Sequence, residues 1–203
     1  IHHQYGNRFM LGEPDGSNSA RIKSLSTALN NAGFKAPVRP KIRDDIWLKL
    51  LGNATFNPVS ILTRATLEQM GRHPEARDII RRMMTEAVAV ATALGVSFAM
   101  DIEKRIDAAV DVGAHRTSML QDFEQGRPLE LDALVAAVTE MGRLVSVPTP
   151  TIDGILALVR LAGPLPAALP ICAIYGQPVS RGIEFAMVGY GDSGNGIDGY
   201  TVD

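Results

Sequence analysis

The chain has 203 residues, 46% of them hydrophobic and 21% charged, with a formal net charge of -2 at pH 7. This length and composition allow one packed domain, or one domain with part of a second, and exclude an intrinsically disordered chain. The pI of about 6.1 provides no basic field for nucleic acid, and the sequence lacks the run of about 18 apolar residues that spans a bilayer.

Other features of the sequence concern its origin and compartment. The single Cys172 cannot form an internal disulfide, so we expect a cytoplasmic protein. From the charge and the lack of a long apolar run we expect neither nucleic-acid nor membrane partners. The sequence begins at Ile1 without Met, from which we expect a piece of a longer protein.

The first predicted unit is a strand, a helix and a second strand within residues 1–41. Residues 9–11 form an apolar run closed by a Pro and Gly turn, and Ser17 or Ser19 can cap the helix that follows. Gly33 is placed to end that helix, and residues 34–38 are strand-like. This β-α-β unit is too small to bury its own faces, so we expect it to be the end of a larger α/β sheet.

The second predicted unit is all-helical and covers residues 42–163. Its first helix is predicted for residues 43–56 and to stop near Pro58, and a long helix follows Pro74 and ends at Gly95. Further helices are predicted for residues 102–110, 119–123, 130–145 and 150–161. Residues 164–203 lose helical periodicity and are interpreted as a weakly ordered tail of unknown role.

A polar stripe on the first of these helices is the first candidate site. Lys49, Asn53 and Asn57 are spaced i, i+4 and i+8 on a helix that is otherwise nearly all apolar. A buried stripe of this kind must find partners or line a wet cavity, whereas a half-exposed helix would carry it as ordinary surface. Gly52 within the helix suggests that backbone or a ligand approaches closely there.

Two predicted helix starts provide the second candidate site. Ser118 and Glu130 lie where free backbone amides suit a substrate carboxylate. A structural alternative exists for each, because Ser118 could be a simple helix cap and Glu130 a first-turn acid favoured by the helix dipole.

Ordered motifs give these residues a context. The runs that carry it are Trp-x-Lys-x-x-x-Asn-x-x-x-Asn-Pro at 47–58, Thr-Ser-Met-Leu-Gln-Asp at 117–122, Gly-Arg-Pro-x-Glu-x-Asp at 126–132 and Val-Pro-Thr-Pro at 147–150. In order and spacing they resemble the ketopantoate reductase (2-dehydropantoate 2-reductase) family. The resemblance implies a mainly α fold, in which a helical substrate and dimerisation domain like the C-terminal domain of 6-phosphogluconate dehydrogenase follows the end of a Rossmann domain.

The resemblance also implies roles for the candidate residues. The residue matching Lys49 is the general acid, the residue matching Glu130 assists it, and the residues matching Asn53, Asn57 and Ser118 bind substrate. Hydride delivered to C2 of a 2-oxo acid leaves an alkoxide, which an ammonium group can stabilise and protonate. We therefore expect these five side chains to converge on one cavity. One departure from some family members is His115, which stands where they carry Asn.

The expected function is NADPH-dependent reduction of 2-dehydropantoate to pantoate, in pantothenate and coenzyme A biosynthesis. The alternatives are reduction of another 2-oxo acid, or a non-catalytic helical dimerisation module; a homodimer is compatible with each. The family's glycine-rich cofactor motif lies ahead of the region that this chain matches, so we expect the chain alone to be inactive. No cofactor-binding residue is predicted within it. Gly189–Gly194 matches G-x-G-x-x-G but has no helix after it. The histidines at 2, 3 and 73 are scattered, and no metal site is expected.

Overall fold

The computed structural model describes residues 7–97 and 101–162, together with two short strands, β1 (Phe185–Met187) and β2 (Asp198–Tyr200). The chain divides into two compact units, Ile1–Val159 and Arg160–Asp203. In the second unit β1 and β2 pair antiparallel. The Gly189–Gly194 motif, His2 and His3 lie outside the described residues.

The N-terminal part of the first unit has the predicted helix, but the two predicted strands on either side of it are extended segments joined only by isolated bridges. Helix α1 (Ala20–Asn31) is capped by Ser19, whose side chain accepts a hydrogen bond from the Ile22 amide. The extended segments on either side of α1 pair in parallel through isolated bridges, which join Arg8 to Lys35 and Leu11 to Val38. As expected of a unit too small to bury its own faces, only Ile22 of α1 is buried.

The rest of the first unit is helical, which confirms the predicted fold class. The helices are α2 (Ile42–Thr63), α3 (Leu67–Arg72), α4 (Pro74–Ala93), α5 (Ile102–Val110), α6 (Ser118–Glu124), a π-helical turn (Asp132–Ala136), α7 (Ala137–Leu144) and α8 (Pro150–Ala162). One apolar core joins them, and its fully buried members include Leu51, Ile80, Met83, Ile106 and Val138. Within the part of the chain that the structure describes, no helix is long and apolar enough to cross a membrane.

Helix α2 is longer than the sequence predicts. The prediction that it stops near Pro58 is wrong, because α2 continues through this proline to Thr63. A proline inside a helix removes one backbone donor and costs about 3 kcal/mol. Here every residue from Ala54 to Ile61 is buried, so the packing of this segment outweighs the local penalty. The residue that caps the C-terminus of α2 is Arg64, which adopts the left-handed conformation with φ of 56°.

Helix α8 begins where predicted, and its first turn is held by a residue from α4. The side chain of Glu86 accepts hydrogen bonds from the backbone amides of Thr151 (2.9 Å) and Ile152 (3.0 Å). A carboxylate at a helix N-terminus satisfies free amides and interacts favourably with the helix dipole. Glu86 thereby connects α4 to the N-terminus of α8.

Candidate functional site

The polar stripe of α2 runs from the surface into the interior. Lys49 is exposed, Asn53 is partly buried, and Asn57 is buried with 5% of its surface accessible. The side-chain nitrogen of Asn57 has no hydrogen-bond partner among the described residues. An unpaired buried donor is unfavourable by about 1–3 kcal/mol. A ligand with a hydrogen-bond acceptor could therefore bind favourably to the Asn57 side-chain nitrogen at the inner end of the stripe.

The outer half of the stripe faces a cleft of about 820 Å³. Lys49 and Glu130 both line this cleft, which brings an ammonium and a carboxylate to the same opening. Its walls are largely apolar and come from the N-terminal extended segment, α2 and the π-helical turn: Phe9, Met10, Leu11, Ile42, Ile46, Leu50, Ala133 and Leu134. The cleft therefore combines an apolar surface with four charged side chains, those of Arg8, Asp45, Lys49 and Glu130.

The inner half of the stripe faces a second, smaller cavity of about 280 Å³, which we call the inner cavity. Asn53, Asn57 and Ser118 all line it. The remaining lining residues are Gly52, Phe56, Leu67, Arg105, Ala108, Ala109, Val112, His115 and Thr117. No Asp or Glu is among them.

The five predicted site residues therefore divide between two spaces. The cleft has Lys49, Asn53 and Glu130, and the inner cavity has Asn53, Asn57 and Ser118. The five side chains therefore do not line one single cavity as expected. The difference arises because α2 passes between the two spaces, which the sequence alone does not show. Asn53 lines both and links them.

Ser118 is positioned by its neighbour rather than serving as a cap itself. The N-cap of α6 is Thr117, whose side chain accepts a hydrogen bond from the Leu120 amide. The hydroxyl groups of Thr117 and Ser60 are also 2.6 Å apart in a buried hydrogen bond that joins α6 to α2. The alternative that Ser118 is a simple cap is therefore wrong, and its exposed side chain faces the inner cavity.

Glu130 precedes an irregular helical segment. The helix predicted for residues 130–145 is present from residue 131 to Leu144, but its first part is a π-helical turn (Asp132–Ala136) that continues into α7. Two residues of that turn, Ala133 and Leu134, line the cleft beside Glu130. Single π-helical turns are rare in proteins, and many of those that do occur lie at functional sites.

Arg105 is a member of the inner cavity that the sequence analysis missed. Its Nη2 lies 3.2 Å from the position that a β-carbon on Gly52 would occupy. The close approach suggested by Gly52 is therefore made, in this structure, by a guanidinium group. Arg105, Ala108 and Ala109 are spaced i, i+3 and i+4, a helical stripe that could have indicated a second face of α5.

Helix α5, which carries Arg105, is held against α4 by ion pairs. Glu103 accepts hydrogen bonds from the side chains of Arg81 and Arg77. The hydrogen bond from Arg81 and then that from Arg77 lower the pKa of Glu103 from its ordinary value of 4.5 to about 2. Asp107 adds a further carboxylate, 2.7 Å from Arg77. This network fixes the helix from which Arg105 extends.

The two histidines within the described residues lie in different places. His115 lines the inner cavity, and the imidazole of His73 lies 3.1 Å from Glu75 at the surface. Across residues 7–97 and 101–162, no group of three or more His, Cys, Asp or Glu side chains could hold a metal ion.

A family comparison identifies this helical unit. Residues 41–162 match the family profile described as ketopantoate reductase PanE/ApbA C terminal. The chain belongs to the ketopantoate reductase family. The matched region contains both halves of the α2 stripe and every lining residue of the inner cavity.

Relatives and solved structures agree with this family. A 2-dehydropantoate 2-reductase of Mesorhizobium japonicum is 54% identical over 160 residues, which cover 79% of this chain and 49% of that protein. The crystal structure of 2-dehydropantoate 2-reductase from Methylococcus capsulatus is 34% identical with a TM-score of 0.72, over 78% of this chain and 51% of that one. The chain thus spans about half the length of the family members that it matches.

The fold extends beyond close relatives. The ternary structure of a D-mandelate dehydrogenase with NADH and anilino(oxo)acetate has a TM-score of 0.70 at 22% identity, over 80% of this chain and 68% of that one. At this identity the likeness shows the fold alone.

Proposed function

We propose that this chain forms the substrate-binding part of a reductase that converts 2-dehydropantoate to pantoate with NADPH as hydride donor. The observation that supports it best is the course of the α2 stripe, which carries Lys49 exposed at the cleft and Asn57 buried beside the inner cavity. A 2-oxo acid bound near Asn53 would place its reacting carbon between these ends. The family membership supports the same reaction.

Lys49 is proposed as the general acid. Reduction adds a hydride to C2 of the 2-oxo acid, breaks the carbon-oxygen π bond and leaves an alkoxide on the former carbonyl oxygen. An ammonium group beside that oxygen stabilises the developing charge and then transfers a proton to it. Lys49 is exposed on the cleft, so solvent can return the proton after each turnover.

Glu130 is proposed to assist Lys49. Both side chains line the cleft, and a carboxylate can accept a hydrogen bond from an ammonium group and so orient it. Glu130 can also accept a hydrogen bond from a hydroxyl group of the substrate. Its role is therefore to orient both the ammonium group and the substrate at the same opening.

Asn53, Asn57 and Ser118 are proposed to bind the substrate. An amide side chain both donates and accepts hydrogen bonds, so Asn53 suits a position between the carbonyl oxygen and Lys49. Asn57 provides a buried donor without a partner among the described residues, and Ser118 provides a hydroxyl group on the facing element. These groups would fix the 2-oxo acid without carrying out the chemistry.

The cleft also fits the nicotinamide part of a cofactor. Its volume of about 820 Å³ exceeds what a small 2-oxo acid fills, and its apolar wall suits an aromatic ring. Phe9, Met10 and Leu11 would hold that ring against α2. NADPH supplies the hydride; the groups of this chain orient the acceptor carbon and protonate its oxygen.

The alternatives differ in what they require of the site. A reductase of another 2-oxo acid would use the same residues with a different side-chain pocket. A non-catalytic dimerisation module would give no reason for Lys49 and Glu130 to share a cleft, which favours the enzyme. A homodimer and a cytoplasmic location remain part of the proposal.

The proposal is tested by the activity of a fusion protein, which we call the joined enzyme. In it, the half of the Mesorhizobium japonicum relative that this chain does not match is placed before the present chain. The expected result is oxidation of NADPH that depends on ketopantoate and yields pantoate. NADPH oxidation that ketopantoate does not stimulate, in a joined enzyme that is folded, would contradict the proposal. Parallel assays with 2-oxoisovalerate and with NADH test the choice of substrate and cofactor.

A further inference from the structure

We infer that Arg105 binds the carboxylate of the 2-oxo acid and so selects anionic substrates, an inference that rests on the proposed function. The guanidinium group lies in the inner cavity with Asn53, Asn57 and Ser118, where it would meet the end of the substrate opposite to the cleft. Arg105 is thus assigned a part in substrate binding that differs from the proton transfer of Lys49.

The first observation is that the Arg105 side chain has no hydrogen-bond or ion-pair partner among the described residues, although it is partly buried. Most arginines of the same part of the chain are paired with carboxylates, among them Arg77 and Arg81 on the neighbouring helix. Removing a charged group from water without a partner is unfavourable. A bound anion would supply that partner.

The second observation is the position of the guanidinium group. Nη2 lies 3.2 Å from the site of a β-carbon on Gly52, so the guanidinium group packs closely against α2 at this residue. Gly52 is adjacent in sequence to Asn53, the residue that lines both spaces. The guanidinium is therefore held one residue from the proposed reaction site.

The third observation is the composition of the cavity. Around Arg105 the polar lining groups are amides, hydroxyls and an imidazole, with no carboxylate, and the Asn57 nitrogen is a buried donor without a described partner. Such a set offers hydrogen-bond donors and one positive charge to a ligand. Guanidinium groups bind carboxylates in a two-pronged arrangement, which also fixes the orientation of the acid.

The dimensions support a small acid. The inner cavity, with a volume of about 280 Å³, is large enough for a compact acid and too small for a dinucleotide. Lys49 lies four residues before Asn53, a rise of about 6 Å along α2. A substrate whose carboxylate meets Arg105 would then extend its C2 oxygen past Asn53 towards Lys49.

The test uses the full 203-residue chain and titrations followed by NMR, which detects millimolar affinity. The ligands are ketopantoate, 2-oxoisovalerate and the lactone of ketopantoate, which keeps the ketone but has no carboxylate. We expect both acids to shift the side-chain Nε-H signal of Arg105, and the Arg105→Gln variant to bind them about ten-fold or more weakly. Binding of the lactone should change less than two-fold, and Arg105→Lys should recover part of the affinity for the acids.

Lys104→Gln is the matched control, because it removes the same charge from an exposed neighbour on the same helix that does not line the cavity. It should leave all three affinities unchanged. Equal binding of ketopantoate by the parent and Arg105→Gln would overturn the inference while leaving the proposed function intact. Preference for 2-oxoisovalerate, with both acids dependent on Arg105, would support the inference and contradict ketopantoate as the substrate. Failure of the parent chain to bind either acid would overturn the assignment of Arg105.

Discussion

The hydroxyl groups of Ser60 and Thr117 are 2.6 Å apart in the buried contact between α2 and α6. Each also has a second bond, since Ser60 donates to the Asn57 carbonyl and Thr117 accepts from the Leu120 amide. This contact therefore links the helix that carries the polar stripe to the helix that begins with Ser118.

We predict that Thr117→Val lowers the free energy of unfolding by about 2 kcal/mol, because it removes a helix cap and a buried hydrogen bond while keeping the shape of the side chain. Urea unfolding followed by the fluorescence of Trp47 measures the change. Ser118→Ala is the control and should remain within about 0.5 kcal/mol of the parent, since its side chain is exposed and does not cap α6. Equal losses in the two variants would show that the cap has been assigned to the wrong residue.

Glu86 is predicted to stabilise α8 through the two backbone amides that it binds. Glu86→Ala should lower the free energy of unfolding by about 1–2 kcal/mol, because Thr151 and Ile152 lose an acceptor at the helix N-terminus. Glu140→Ala, an exposed change on α7, should have an effect below about 0.5 kcal/mol. Hydrogen exchange of the Thr151 and Ile152 amides should also accelerate in Glu86→Ala alone. Unchanged exchange there would refute the capping role.

The ion pairs of Glu103 predict a dependence of stability on pH. Hydrogen bonds from Arg81 and Arg77 lower the pKa of Glu103 from 4.5 to about 2 in the folded chain. Since the folded-state pKa is the lower one, this stabilisation is complete above pH 4.5 and is lost as the pH falls towards 2. The Glu103 side chain is 45% exposed, so solvent screening limits its contribution to about 1 kcal/mol or less.

Urea unfolding at pH 6 and at pH 2.5 provides the measurement. Glu103→Gln should be less stable than the parent at pH 6, and the difference should shrink at pH 2.5. The control is Glu140→Gln, which makes the same charge change at an exposed position. A Glu103→Gln deficit that is equally large at both pH values would mean that the ion pairs do not cause it.

Gly71 is predicted to be required for the contact between α3 and α5. A β-carbon at this position would lie 2.2 Å from Cγ2 of Val110, which is closer than packed atoms can approach. Gly71→Ala should therefore lower the free energy of unfolding by about 1–3 kcal/mol, although Ala favours helix more than Gly does. Adding Val110→Ala should recover part of this loss, as a double-mutant cycle measures. Strictly additive losses would contradict the proposed clash.

Much of the fold follows from local signals in the sequence. Ser19, Pro74 and Gly95 mark helix ends that the structure bears out, because caps and breakers act on their own neighbours. Pro58 misled the prediction because its surroundings are buried, and burial depends on distant parts of the chain. Helix α3 was missed because it has six residues, although its capping box of Thr66 and Gln69 was a usable signal.

The candidate site was predictable only in part. Spacing alone placed Lys49, Asn53 and Asn57 on one face of α2, and the structure retains that stripe. The division into two spaces, and the place of Arg105 in the inner one, depend on how α5 packs across α2. Residues so far apart in sequence could be related only by tertiary structure.

The role of Lys49 is the central claim, and kinetics of the joined enzyme test it most directly. Lys49→Ala should lower kcat by about 100 to 10,000-fold, the range that general acid catalysis supplies. Ser118→Ala is the matched comparison and should chiefly raise KM, because a group that binds the substrate equally before and after hydride transfer does not act on the transition state alone. A folded Lys49→Ala enzyme with kcat within a few-fold of the parent would show that the proton comes from another group.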